Sequence, residues 1–184
     1  MSFQATITLP FGEVSLSATY SADHDQPIAI RRVDVVPQLP DGMAVDLVSA
    51  FLIDVPTAFP VYDLTFDCRL AAIEQEGDAN SGQYLDAQSW PIGDGLLMIG
   101  TEDGEALQAR MPWLNFNEDD YPIRYLPDGL RLELAMVPAK KRLDFHFVLA
   151  YNHVDRQCDS EWFAVDIAHT TILNSPSAAI ASWP

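Results

Sequence analysis

Basic residues are scarce in this chain of 184 residues, and lysine is the scarcest of them. The chain contains ten Lys and Arg and 27 Asp and Glu, which gives a formal net charge of −17. Only two of the ten basic residues are lysines. Between residues 21 and 130 there are 20 acidic and 5 basic residues, a net charge of −15. A field of this sign repels nucleic acid and anionic membranes and favours a cationic partner. The same acidity also suits the solvated surface of a halophilic protein, so both readings stay open.

Cysteine and long apolar runs are also scarce. The two cysteines, Cys68 and Cys158, are too few for a disulfide scaffold, and we expect two buried free thiols. No stretch reaches the roughly 20 apolar residues of a membrane span. Residues 1–6 lack the basic segment and the apolar run of a signal peptide. Together these absences predict a cytoplasmic protein.

Motifs for catalysis and cofactor binding are missing as well. The chain has no phosphate-binding glycine loop of either common type and no G-x-S-x-G elbow. His153 and Cys158, with Asp155 and Asp159 nearby, could hold zinc, but no paired-ligand motif supports them. The loop acids lack the spacing of an EF-hand. We therefore expect no metal and no cofactor, and we expect His146, on the polar side of its strand, to lie at the surface.

Alternation of apolar and polar residues with a period of two is the dominant pattern in the chain. The hydrophobic fraction of 48% is ordinary for a globular protein with a real core. About ten short strands with frequent turns predict one mainly β domain over residues 1–184, an antiparallel sandwich or barrel with one or two short helices. Strands are predicted over residues 3–9, 14–20, 28–36, 62–70, 95–100, 105–111, 123–125, 130–137, 143–151 and 161–168.

Turn residues predict how some of these strands pair. The first two strands should form a hairpin with one face in water. The turn Glu102-Asp103-Gly104 should join the strands at 95–100 and 105–111 in another hairpin, since Asp-Gly favours such turns. The three strands between residues 123 and 151, separated by short turns, should form a meander of neighbouring strands.

Three segments do not follow the alternation. Residues 74–83 are polar and contain two glycines, which predicts a loop. Residues 43–55 carry apolar side chains four positions apart, which favours a helix, although their Val and Ile content suits a strand nearly as well. Ser175-Pro176 is typical of a cap followed by proline at the first helical position, which predicts a short C-terminal helix.

The segment 111–125 and the acids just before it form the predicted binding region. It interleaves aromatic and acidic side chains, and binding surfaces favour aromatic anchors with charges that steer a partner. In the other interpretation, the aromatics close the end of the sandwich and the acids only face water. The predicted partner-binding residues are Glu102, Asp103, Glu105, Trp113, Glu118, Asp119, Asp120 and Tyr121.

These observations predict a non-enzymatic acidic protein that masks a basic partner protein. Its most concrete form is a bacterial immunity or antitoxin-type inhibitor of a toxin such as a nuclease, with no direct contact to nucleic acid or membrane. The alternative is a β-sandwich that binds or hydrolyses a carbohydrate or small molecule through loop carboxylates.

Overall fold

β-Strands dominate the computed structural model, which describes residues 2–9, 12–25, 28–73, 76–153 and 160–183. Strands make up 54% of the structure and helices 11%. Two antiparallel sheets pack together, so the predicted mainly β sandwich is confirmed. The strands are β1 Ser2–Leu9, β2 Gly12–Ser21, β3 Ile28–Val33, β4 Leu47–Pro56, β5 Val61–Leu70, β6 Asp78–Gly82, β7 Leu85–Ile92, β8 Gly95–Thr101, β9 Ile123–Leu126, β10 Gly129–Val137, β11 Arg142–His153 and β12 Ser177–Trp183. The helices are α1 Gly104–Arg110, α2 Ser160–Val165 and α3 His169–Leu173. None of these described helices is long and apolar enough to cross a membrane.

The five-stranded sheet has the order β1-β2-β5-β10-β9. Its strands alternate as the sequence predicts, because one face packs on the core and the other is at least partly open to solvent. In β2 the buried side chains are Val14, Leu16, Ala18 and Tyr20. The predicted hairpin of the first two strands is confirmed by the antiparallel pairing of β1 with β2.

The seven-stranded sheet has the order β12-β3-β4-β11-β8-β7-β6, and it is covered on both faces. The helix predicted over residues 43–55 is wrong, because Leu47–Pro56 forms strand β4. Its side chains Phe51 and Ile53 contact the core between the sheets, whereas Ala50 and Leu52 belong to a second core. Burial on both faces removes the alternation by which a strand is recognised.

Two hydrophobic cores follow from this arrangement. The main core fills the space between the sheets and contains the largest fully buried side chains, among them Trp90, Phe51, Phe66, Phe145 and Phe147. The second core includes residues on the outer face of the seven-stranded sheet together with residues of α2 and α3. Its members are Val33, Val35, Ala50, Leu52, Leu85, Ala87, Met98, Val148, Ala150, Ala164, Val165 and Ile172.

The predicted three-strand meander is wrong in its last step. β9 pairs with β10, but β11 pairs with β4 and β8 in the other sheet. The connection between β10 and β11 therefore crosses from one sheet to the other. The buried Thr57 holds this crossing, since its hydroxyl lies 2.8 Å from the carbonyl oxygen of Pro138 and 2.7 Å from that of Lys141.

The hairpin predicted around Glu102-Asp103-Gly104 is also wrong. Residues 104–110 form α1 instead of a strand, and Asp103 is its N-cap. The aspartate side chain accepts a hydrogen bond from the backbone N–H of Ala106, which satisfies one of the free donors at the start of a helix. The helix is anchored to the main core through the fully buried Leu107.

Three further predictions on local structure need correction. The strand predicted over 161–168 is wrong, because Ser160–Val165 forms α2 and packs against β8 and β11. The C-terminal helix predicted at Ser175-Pro176 is wrong, since the chain enters β12, which pairs with β3. The loop predicted over 74–83 contains the edge strand β6, paired with β7. Of the predicted buried thiols, Cys68 is buried and free, and Cys158 lies outside the described residues.

Candidate functional site

The start of α1 is fixed by a tyrosine that packs directly on it. The backbone N–H of Gly104 donates to the hydroxyl of Tyr121 over 2.7 Å, and that hydroxyl donates to Asp86. A Cβ atom at position 104 would lie 2.2 Å from Cε2 of Tyr121, so this close approach requires glycine. The contact ties the segment 111–121 to the first turn of α1.

Asp86 is a buried carboxylate for which the described residues supply no cationic partner. It lies on β7, is 1% exposed, and makes no ion pair within the described part of the chain. Its second oxygen lies 2.5 Å from the hydroxyl of Tyr125, which also lies 2.7 Å from the carbonyl oxygen of Asn80. Burial first, and then the hydrogen bond to Asp86, raises the pKa of both Tyr121 and Tyr125. Two hydroxyl donors therefore stand where a buried carboxylate ordinarily has a cation.

These groups line a pocket of about 540 Å³ beside the start of α1, which we call the acidic pocket. Four carboxylates and two tyrosines contribute to its wall, and none of the described lining residues is Lys or Arg. The lining residues are Ser81, Gly82, Gln83, Asp86, Asp103, Glu105, Glu118, Tyr121 and Tyr125.

The electrostatics of the acidic pocket are visible in the pKa of Asp103. Burial raises this pKa most strongly, because the carboxylate is 7% exposed. The hydrogen bond from Ala106 N–H opposes the rise, and the neighbouring charges of Asp86 and Glu105 add to it. An acid whose charge is opposed by burial and by like charges gains from an added cation.

The structure brings four of the eight sequence-predicted residues into the acidic pocket: Asp103, Glu105, Glu118 and Tyr121. The other four lie elsewhere. Glu102 is ion-paired with Arg110, the last residue of α1. Trp113 and Asp120 line a different groove of about 590 Å³, and Trp113 also packs against the main core. Asp119 is exposed in a turn, where its N–H donates to the side chain of Asn117.

A second group of polar side chains lies on the outer face of the seven-stranded sheet, and we call it the histidine cluster. It consists of Glu102, Arg110, Asp144, His146 and His169. The prediction of a surface His146 is wrong, because this residue is 1% exposed and lies beside α3. The two Nδ1 atoms of His146 and His169 are 2.7 Å apart, and Nε2 of His169 lies 2.5 Å from Oδ1 of Asp144.

Arg110 completes the histidine cluster. It donates to both carboxylate oxygens of Glu102, and its Nη1 lies 3.3 Å from Oδ1 of Asp144. The hydrogen bond from His169 lowers the pKa of Asp144 most, and the charges of His169 and Arg110 add to that effect against burial. Burial lowers the pKa of His146 well below its ordinary value, and the charges of His169 and Arg110 lower it further. His146 is therefore held as a neutral imidazole.

The histidine cluster was missed in the sequence because its members lie far apart along the chain. A signal was nonetheless present: Val148 and Ala150, which share a strand face with His146, are apolar, so that face is covered. The structure also describes His153, one of the possible zinc ligands named from the sequence. His153 is exposed and lies 2.9 Å from Asp46, whereas Cys158 and its neighbours lie outside the described residues. Within the described part of the chain, the one group of three possible metal ligands is Glu102, His146 and His169.

Comparison with protein-family models, with curated proteins and with solved structures finds no match for this chain.

Proposed function

We propose that this chain is an acidic binding protein that takes cationic side chains of a basic partner protein into the acidic pocket. The observation that supports the proposal is the pocket wall, where four carboxylates meet without any Lys or Arg in the described lining. Two of them, Asp86 and Asp103, are almost fully buried. An incoming guanidinium or ammonium group would find its counter-charge already desolvated.

The carboxylates at the rim of the pocket and those deeper in it would have different roles in binding. The exposed Glu105 and Glu118 stand at its rim, where charges mainly steer a partner and raise the association rate. Asp103 lies deeper, and a volume of about 540 Å³ is ample for the end of an arginine side chain. Planar guanidinium groups also stack on aromatic rings, which Tyr121 and Tyr125 supply in the same wall.

An immunity or antitoxin-type inhibitor acting in the cytoplasm is the most concrete form of this proposal. Such a protein must find a basic toxin quickly and cover its cationic surface. The net charge of −17 supports fast, salt-sensitive association, because long-range attraction is screened within about a Debye length of 10 Å at moderate salt.

The pocket can be tested with a small probe before any partner is known. N-acetyl-arginine methylamide is titrated into isotope-labelled protein, with the citrulline analogue as the uncharged isostere. We expect the arginine probe to bind with Kd on the order of 1 mM, with NMR shifts centred on Gly82 and Gly104. The citrulline probe should cause none. Equal shifts with both probes, or shifts spread over the whole acidic surface, would contradict the proposal.

Matched variants locate the charge that matters. Asp103→Asn keeps a good helix cap while it removes the carboxylate, and we expect it to weaken arginine binding by about tenfold, or about 1.4 kcal/mol. Glu118→Gln at the exposed rim should weaken it by no more than about fivefold. Glu13→Gln, an exposed acid on β2 outside the pocket, is the control and should bind as the wild type does.

The partner itself can be sought with the same pair of proteins. Wild-type and Asp103→Asn chains are used as baits in a lysate, and the retained proteins are eluted with rising salt. A basic protein that wild type retains, that salt releases, and that the variant fails to retain would support the inhibitor proposal. Retention by both baits in equal amounts would place the contact outside the acidic pocket.

A further inference from the structure

Three metal-ligating side chains converge in the histidine cluster. One ligand atom each from Glu102, His146 and His169 lies within 4.8 Å of the other two. The histidines come from β11 and from the first residue of α3, and they are only 1% and 6% exposed. Two imidazoles and one glutamate form a ligand set of catalytic zinc sites, which have three protein ligands and one open position.

Asp144 prepares one of these histidines for a metal. A neutral imidazole carries a single proton, and here Nε2 of His169 lies 2.5 Å from the carboxylate of Asp144. Donation from Nε2–H leaves the lone pair on Nδ1, the atom that faces His146. Metal-binding histidines commonly donate their second nitrogen to a carboxylate in this way, which fixes the tautomer and the ring orientation.

We propose that Glu102, His146 and His169 bind one zinc ion, with its fourth coordination position open to an adjoining pocket. That pocket measures about 390 Å³, and both Glu102 and His169 line it together with Arg110. Two nitrogens on one tetrahedral zinc ion lie about 3.3 Å apart, given Zn–N distances of about 2.0–2.1 Å. The two Nδ1 atoms, now 2.7 Å apart, would therefore separate by about 0.6 Å on binding.

The local charge favours a divalent cation. Zinc binds neutral imidazoles, so in the metal-bound protein Glu102 and Asp144 would carry two negative charges against one positive charge on Arg110. A carboxylate has about four lone-pair sites, so Glu102 can keep its contact with Arg110 and still bind an ion. Removing either carboxylate should weaken metal binding for this reason.

The open position indicates the chemistry that the site would support. A zinc ion with three protein ligands can polarise a carbonyl or phosphoryl oxygen, or lower the pKa of a bound water. Among the described lining residues, the pocket beside this site shares none with the acidic pocket.

The test is titration of chelator-treated protein with zinc chloride by calorimetry. We expect one zinc ion per chain. His169→Gln should lose this binding, because glutamine can still donate to Asp144 but offers no atom at the Nδ1 position. Asp144→Asn should bind about 10- to 100-fold more weakly.

Control variants separate this site from adventitious binding. The double variant His153→Gln/Cys158→Ser should bind zinc as the wild type does. Asp103→Asn should also bind zinc normally, while His169→Gln should still bind the arginine probe, so the two proposals fail independently. Absence of stoichiometric binding, or its loss in the His153/Cys158 variant in place of His169→Gln, would overturn the zinc site.

A measurement on the wild-type chain protects the test against variants that do not fold. X-ray absorption at the zinc edge reports the ligands directly. We expect two imidazoles with oxygen ligands in the remaining positions. A sulfur ligand, or a shell of oxygen alone, would show that zinc binds elsewhere and would refute the assignment.

Discussion

Replacing Asp103 with asparagine should stabilise the protein at neutral pH even though it weakens cation binding. The pKa of Asp103 is raised first by burial and then by the charges of Asp86 and Glu105, against the N–H donors at the start of α1. A carboxyl group that holds its proton more tightly in the folded state makes ionisation unfavourable to folding. The neutral amide of asparagine avoids that cost.

The sign of the pH dependence follows from the direction of this shift. Below the ordinary value of 3.8, Asp103 is protonated in both the folded and the unfolded chain, and the two proteins differ little in this respect. As the pH rises through 3.8 towards the raised pKa, the unfolded chain loses the proton first. The free energy of unfolding of the wild type then falls relative to that of Asp103→Asn, and the difference stays constant above the raised pKa.

The alanine variant supplies a magnitude. Asparagine and aspartate are about equally good N-caps, whereas loss of the side chain that accepts from Ala106 N–H costs about 1 kcal/mol. For a chain of this size, about 1 kcal/mol corresponds to roughly 2–4 °C in melting temperature. Asp103→Ala should therefore melt about 2–4 °C below Asp103→Asn, although both variants lack the charge.

Urea unfolding of wild type, Asp103→Asn and Asp103→Ala over a series of pH values measures both effects. The reasoning is refuted if Asp103→Asn is less stable than wild type at neutral pH. That result would mean that attraction between the carboxylate and the positive end of α1 outweighs desolvation and like-charge repulsion. Asp103 would then be a structural residue, and its place in the binding proposal would lose its physical basis.

Two other contacts make predictions of the same kind. Gly104→Ala places a Cβ atom 2.2 Å from Tyr121, and we expect urea unfolding to show a loss of about 1–3 kcal/mol together with weaker arginine binding; unchanged stability and binding would show that the close approach is not formed. Arg131→Met leaves the carboxylate of Asp67, 7% exposed, without donors at 2.6 and 2.8 Å, and should cost about 1.5–3 kcal/mol. Asp67→Asn/Arg131→Met should recover part of this loss, and equal stability of wild type and Arg131→Met would mean that the pair contributes nothing.

The five-stranded sheet was predictable because its strands face two different environments. Strand β5 shows the reason: Leu64, Phe66 and Cys68 are buried, while Thr65 and Arg69 are partly exposed. Asp67 is the exception on the second face, since Arg131 covers it. A period of two survives one such exception, because a one-residue slip would place the whole polar set in the core.

The sequence at the start of α1 is compatible with two structures, a hairpin turn and a helix N-terminus. Asp103-Gly104 is a good hairpin turn, but aspartate is equally good as an N-cap, and the following residues decide between the two. Leu107 and the C-cap residue Met111, spaced four positions apart, are both buried. That spacing is typical of one face of a helix and favours a helix over a hairpin here.

The acidic pocket was predictable in part. Glu105 and Glu118 lie in acid-rich segments, so the local density of acidic residues was enough to predict them. Asp86 lies in a strand whose other residues are mostly buried, and nothing in the local pattern shows that Tyr121 and Tyr125 converge on it from another sheet and loop. Sites assembled across sheets depend on topology, and topology was the part of the fold that the turn signals described worst.

The histidine cluster lies where an apolar side chain would serve packing better. On β11 the positions on the same face as His146 include Val148 and Ala150, both fully buried in the second core. Buried ionic networks are often less stabilising than apolar residues of equal volume. Nη1 of Arg110 is buried and forms an ion pair with Asp144 at 3.3 Å, but it has no hydrogen bond to a described residue. Packing between α3 and the sheet does not require this arrangement, whereas the proposed zinc ion would use three of its five side chains as ligands.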